Sequence, residues 1–578
     1  MKSISALIHV FVAVTAIVAR SAVLEITVDP VFNGEPLRLD SLRYENAAAE
    51  TLSVTRLSYL LTGFAVERED GQWLEFPAST AWLDAATRRN VFLLENVPPG
   101  NYRALRFHVG PDAVANAADV SKIPADHPLN PNLNGLHWSW QGGYIFMAVE
   151  GHFRAGNSEI KGYAHHLARD PNRSRISLTA PLNLTHDAGM LIHFDLATLL
   201  NAPRPLSFEK DGTATHSRDG DPIAAALFAN LPGAFRVSRV VANTSVVSSS
   251  SPAKPIDLPE KFTPWHFAMS RTFPLPDLPR DNPLIVERVT LGEKLFHEKS
   301  LSRDGSISCA TCHQADAAFT DRLPVSTGIS SRRGDRNAMP LFNLAWKKEF
   351  FWDGRARSLR EQVLMPIQDH REMDDSPANV CEKLTAIPAY QELFRASFGS
   401  PGITPEKLAL ALEQYLLTLS ARDSKFDRAL RGKATLTADE QRGFELFMTE
   451  SEPRTGQYGA DCFHCHGGPL FSDHQFHNNG LDGDAPGRAQ VTQLPGDQRK
   501  FSTPSLRNLT LTGPYMHDGR FATLEEVVEH YSTGIHRSPT LDPNLAKHPA
   551  NGLHLAPADQ AALVAFLKSL TDENTPAP

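Results

Sequence analysis

Cys309-Ala310-Thr311-Cys312-His313 and Cys462-Phe463-His464-Cys465-His466 together hold four of the five cysteines in the chain. Two thiols at this spacing add to the two vinyl groups of one porphyrin, and the adjoining histidine is then held where its imidazole reaches the iron. The motifs therefore predict two covalently bound haems c. Cys309, Cys312, Cys462 and Cys465 would form the thioether bonds, and His313 and His466 would be proximal iron ligands. Cys381 is left over and reads as a buried structural thiol, since a free cysteine usually packs as a small hydrophobe.

The elements that must carry these motifs follow from the patterning. Lys2, an apolar run over 4–18, and the small residues Ala19 and Ser21 read as a signal peptide covering residues 1–21. Covalent haem attachment needs reduced thiols and export-side ligation, so the leader and the motifs both point to the periplasm. The chain has 578 residues, 41% hydrophobic content and a formal net charge of −9. It carries no basic tract suited to nucleic acid and no second apolar segment long enough to span a bilayer. Over 22–242 the pattern alternates as in strands, with Leu24, Ile26 and Val28 in one run and Tyr144, Phe146 and Ala148 in another, which predicts an all-β sandwich. Residues 243–260, rich in serine and proline, read as a linker.

After the linker the period becomes helical. Leu291-Gly292-Glu293-Lys294-Leu295-Phe296 precedes the first attachment motif and Arg442-Gly443-Phe444-Glu445-Leu446-Phe447 precedes the second. Amphipathic helices over 405–419 and 557–570 close the two halves. Two all-α cytochrome c domains are expected, one over 261–430 and one over 431–578.

Phe351-Trp352-Asp353-Gly354-Arg355-Ala356 between the attachment sites, and Pro514-Tyr515-Met516-His517-Asp518-Gly519 after the second, resemble the bacterial di-haem cytochrome c peroxidase family, specifically its MauG-like branch. The resemblance covers about 275–575. It implies a peroxide-reacting first haem, an electron-transferring second haem, Trp352 as the bridge between them, and Gln362 and Pro366 shaping the distal region. Glu372 matches the family's distal carboxylate, an acid-base group needed because peroxide must lose a proton from one oxygen and gain one on the other. No histidine occurs from Gln314 to Asp369, so the histidine that blocks the first iron in the usual peroxidases is missing; His370 is the nearest candidate to intrude. Tyr531 matches the position of the second haem's axial methionine, with His530 and Met516 as rivals. A phenolate favours ferric and higher states, whereas methionine raises the potential. The family pattern also implies a calcium ion held through Asn337, Thr512 and Pro514, a set of hard oxygen donors.

Leu136-His137-Trp138-Ser139-Trp140-Gln141-Gly142-Gly143-Tyr144, with His127 to Asn130 before it and Glu150-Gly151 beyond, is similar to the MbnP-like copper-binding family. In that family a partner enzyme oxidises a tryptophan to kynurenine. The resemblance implies that Trp138 or Trp140, expected two apart on one face of a strand, is the residue oxidised. His137, His166 and His193 are the copper candidates, and His127 and His152 lie further from the motif; histidine suits copper. A flexible linker of this length spans roughly 20 to 25 Å and supplies roughly millimolar effective concentration, so substrate and enzyme would be one chain, reacting in cis or with a second copy. Two other readings use the same residues. One is a peroxidase that reduces hydrogen peroxide with electrons from a small cytochrome. The other is a copper-binding protein with an electron-transfer haem module.

Overall fold

The computed structural model describes residues 21–138, 142–242, 258–452 and 456–572. The leader up to residue 20, linker residues 243–257 and Trp140 lie outside the described residues.

The N-terminal domain is built from two sheets. In one, Ala22–Phe32 runs parallel to Ala188–Asp195 and antiparallel to Val91–Val97, with Phe235–Ala242 beyond. In the other, Ser174–Asn183, Asn101–Val109, Arg56–Arg68, Ile145–Ala155 and Lys161–Ala168 follow one another across a nine-stranded sheet. Strand alternation does what the sequence pattern requires: Leu24, Ile26 and Val28 are fully buried in the core between the sheets. Trp138 departs from the expected strand placement. It sits in a tight loop before Ile145–Ala155, where its N–H donates to Gly143 O at 3.0 Å and its carbonyl accepts from Gly142 N at 2.8 Å. The glycine pair at 142 and 143, both at positive φ, turns the chain here and ends the alternation.

The C-terminal part is helical, and its two halves repeat one packing solution. Val286–Phe296 crosses Pro405–Thr418 so closely that a Cβ on Gly292 would lie 2.1 Å from Ala411 O. Ala438–Phe447 crosses Pro557–Ser569 in the same way, and a Cβ on Gly443 would lie 2.0 Å from Ala562 O. Glycine is the residue that permits both crossings, which explains the repeated Leu-Gly and Arg-Gly steps. No described helix is long and apolar enough to cross a membrane.

The N-terminal domain is docked on the second cytochrome domain, and their buried apolar side chains form one continuous cluster that includes Leu136, Trp138, Met448 and Phe463. His152 Nε2 meets Leu541 O at 2.7 Å, Asn544 Nδ2 donates to Glu150 at 3.3 Å, and Arg537 pairs with Glu159 at 3.0 Å. A Cβ on Gly162 would fall 1.9 Å from Pro543 O, so the backbones touch.

Candidate active site

The first attachment motif opens a short helix, Cys309–Cys312, capped by Ser308 and Thr311. His313 Nδ1 lies 2.8 Å from Phe319 O, so that nitrogen donates to the carbonyl and Nε2 remains the one suited to a metal. The cavity beside it is lined by Cys309, Cys312, His313, Trp352, Gln362, Pro366 and Glu372. All the residues expected at the peroxide-reacting haem therefore meet in one place. Burial pushes the Glu372 carboxyl up to about 7, aided by nearby Asp369 and opposed by Arg355 and Arg371. A carboxyl poised near neutrality is suited to taking and returning a proton. His370 is turned outward, its side chain 73% exposed, and it does not line the cavity.

The second motif is arranged alike. His466 Nδ1 lies 3.1 Å from Phe471 O. Its cavity is lined by Cys462, Cys465, His466, Met516 and Tyr531, and also by Asn337, Thr512 and Pro514. Thr523 caps the helix Leu524–Thr533 and thereby sets Tyr531. His530 lies outside the lining, its Nε2 3.0 Å from Asn479 O. The Asn337 carboxamide donates to Leu323 O at 3.1 Å and to Pro324 O at 3.3 Å, which leaves Oδ1 as its acceptor. Both cavities are apolar-walled and end on a cysteine pair and an oriented imidazole, so the residues present fit covalent haem in each. Trp352 and Asn337 line both cavities. Cys381 is buried on Pro377–Thr385, with burial pushing its thiol up to about 11.

The N-terminal histidines are separated by the fold. His137 and His166 line a cavity with Trp138, Phe463 and His464. His193 is on the other sheet, opposite Arg236 of the neighbouring strand. Leu129 N donates to His127 Nδ1 at 3.1 Å, and His152 is committed to Leu541 O. Two histidines that sequence patterning did not single out join His166 near Trp138, the His166 ring itself being 6.1 Å from that of Trp138. His216 follows the two-residue strand Ala214–Thr215, and its ring centroid is 5.3 Å from that of Trp138. His464 is a variable residue of the second attachment motif, with its ring 5.1 Å from His216 and 5.5 Å from His166. The only sequence signal at 464 was a histidine between two haem cysteines; at 216 there was none.

Two family models match this chain. That for di-haem cytochrome c peroxidase covers residues 286–435 and that for MbnP covers residues 21–217. The methylamine utilization protein MauG of Methylorubrum extorquens is 39% identical over 300 residues, 51% of this chain and 81% of that protein. The C-terminal half belongs to the di-haem cytochrome c peroxidase family. The chain thus joins an MbnP domain to a MauG-related peroxidase, and it is an oxidoreductase of that family. The cytochrome c551 peroxidase of Nitrosomonas europaea is 36% identical over 45% of this chain and 77% of its own length. A solved MauG-like protein associated with microbial copper homeostasis is 34% identical, covers 54% of this chain and 98% of that one, and superposes with a TM-score of 0.49.

Proposed function

We propose that this chain is a periplasmic, self-modifying di-haem peroxidase that uses hydrogen peroxide to oxidise Trp138 of its own N-terminal domain to kynurenine. The observation that carries the reading is a run of rings within one chain. Phe463, between the second pair of haem cysteines, has its centroid 5.3 Å from His216, and His216 is 5.3 Å from Trp138. The contact within one chain favours reaction in cis. Trp138 is only 8% exposed, so an oxidised indole there is screened from bulk water.

When bound, the haems would supply oxidising equivalents drawn from peroxide, two from each peroxide; kynurenine needs four, so two peroxides are consumed, two oxygens enter the indole, and its C2 carbon leaves as formate on hydrolysis. The chain's own residues do the rest. Glu372 takes a proton from one peroxide oxygen and delivers one to the other. His313 and His466 are fixed by their carbonyl partners, Gln362 and Pro366 shape the distal side, and Trp352 is the shared wall through which the two haem sites communicate. Tyr531, in the lining of the second cavity, would offer its phenol oxygen to the second haem. Asn337, Thr512 and Pro514 would supply oxygen donors to a calcium ion. The MbnP domain matures into a copper-binding domain as a consequence of the oxidation.

One observation favours a second reading, in which electrons enter from a small cytochrome and peroxide is simply reduced: Met516 lines the same cavity as Tyr531, and methionine ligation suits electron uptake. Peptide mass spectrometry of haem-loaded protein before and after peroxide separates the two. The self-modifying reading predicts a gain of about 4 Da at Trp138, the tryptophan-to-kynurenine difference, and its loss in Glu372→Gln. An unmodified Trp138 alongside rapid peroxide consumption at the expense of a reduced cytochrome would select the second reading.

A further inference from the structure

His477 stands between two carboxylates in the wall of the second haem cavity, where Asp542 and Cys465 also lie. Its Nδ1 is 2.6 Å from Asp542 and its Nε2 is 2.8 Å from Asp473. An ionised carboxylate only accepts, so both ring nitrogens donate and the ring is an imidazolium. Burial opposes a charge here, but Cys465, Asp473 and Asp542 outweigh it and hold the imidazole well above its usual range. With the Cys465 sulfur bonded to haem, the two aspartates carry that effect. Both aspartates lie below the usual carboxylate range: burial opposes, His477 prevails, Arg56 assists at Asp473, and Glu150 works against Asp542.

The cluster joins the haem motif to the docked domain. Cys465 Sγ, a His477 nitrogen and an Asp542 oxygen lie within 4.8 Å of one another, and Asp473 N donates to Cys465 O at 2.8 Å. Asp542 also caps the short helix Pro543–Ala546, on which the N-terminal domain rests at Gly162. Asn544 Nδ2 donates to Asp542 at 3.1 Å and to Glu150 at 3.3 Å, and Arg56 holds Glu150 at 3.0 Å. The docking seam thus gathers three carboxylates, Asp473, Asp542 and Glu150, into one network that reaches the thioether sulfur. Anionic surroundings favour the oxidised haem and lower its potential, which weakens it as an oxidant of tryptophan. His477 and Arg56 are the cations set within that network.

We propose that His477 is a positioning residue of the second haem, a fixed cation that offsets the carboxylates of the docking seam and keeps that haem's reduction potential high. With a neutral side chain at 477, Asp473 and Asp542 face each other with no cation between them. Two like charges so placed share one proton at low pH, which restores the parent's net charge. As pH rises that proton leaves, and the cluster becomes one unit more negative than in the parent. The variant's potential therefore matches the parent's in acid and falls below it in alkali. The use of a high potential rests on the proposed oxidation of Trp138; the potential itself does not, so the two fail separately.

The test is spectroelectrochemistry of the second haem in haem-loaded full chain, from acidic to alkaline pH, for the parent, His477→Gln and His477→Lys. His477→Gln should track the parent in acid and drop below it as pH rises. His477→Lys restores the cation and should track the parent throughout. Adding Asp473→Asn to His477→Gln leaves one carboxylate, the parent's net charge, and should remove the drop. If His477→Gln does not retain haem, His477→Asn carries the same expectation. A neutral variant that follows the parent at every pH overturns the proposal. So does His477→Lys falling with it, because shape rather than charge would then be at work, and so does a drop that persists in the double variant. Peptide mass spectrometry of the same samples after peroxide reads Trp138: potentials as expected beside an unmodified Trp138 would keep the role of His477 and sink the oxidation reading.

Discussion

Trp352 donates its indole N–H to the carbonyl of Asn337 at 2.9 Å, and both residues face both haem cavities. The hydrogen bond fixes the ring edge in the partition between the two sites. Trp352→Phe keeps an aromatic ring but strands a buried carbonyl, at a cost of about 1–3 kcal/mol. Haem content should be retained, and the yield of modified Trp138 per peroxide consumed should fall. An unchanged yield, measured by peptide mass spectrometry against peroxide loss, would reduce Trp352 to a packing residue.

Glu372 supplies the pH dependence. Burial, with Asp369 behind it, raises its carboxyl to about 7, so the carboxyl is mostly neutral below that value and a carboxylate above it. Acceptance of the first proton from peroxide needs the carboxylate. The rate of reaction with peroxide should therefore rise as pH climbs through about 7, and Glu372→Gln should slow it about 10²- to 10⁴-fold and erase the inflection. Stopped-flow traces across this range check both.

How much of this was legible in the sequence depends on what holds each residue in place. The thioether cysteines, His313 and His466 announce themselves because covalent chemistry demands a contiguous motif. Gly292 and Gly443 are legible as a repeat because each sits at a helix crossing that tolerates no side chain. His216 carries no such mark: it is brought to Trp138 by Ser217 bonding to the neighbouring strand and to Phe463 by docking of a domain over two hundred residues away. His193 looked equivalent to His166 in sequence, and only sheet topology puts it on the other sheet.

Arg507 of the second cytochrome domain and Asp427, on the helix Lys425–Leu430 that precedes that domain, form a buried pair with side chains 1% and 2% exposed and contacts of 2.7 and 2.9 Å. Burial alone would raise the Asp427 carboxyl, but the Arg507 guanidinium and the Ser424 cap outweigh it and hold the carboxyl below its usual range. A depressed carboxyl stabilises the fold above its unfolded value, and that contribution is lost as pH falls through the folded one. Asp427→Asn leaves Arg507 uncompensated and should cost about 3–5 kcal/mol near neutral pH. The deficit relative to the parent should shrink in acid. Urea unfolding of the two proteins at neutral and acidic pH measures it, and a deficit that does not change with pH would mean that the ion pair is not its source.

Asn479 Nδ2 lies 3.4 Å from Tyr531 Oη and 3.5 Å from Met516 Sδ, so phenol and thioether converge on one amide in the lining of the second cavity. The two ligands would pull the iron in opposite directions, the phenolate toward high oxidation states and the thioether toward the ferrous form. Tyr531→Phe removes the oxygen and leaves Met516 within reach of the vacated side. The second haem's reduction potential should then rise, modified Trp138 should fall in yield, and turnover of peroxide with a reduced cytochrome should gain. Met516→Leu should leave all three near the parent values. If the potential instead moves with Met516→Leu and not with Tyr531→Phe, the thioether is the ligand, and the case for storing oxidising equivalents at the second haem falls with it.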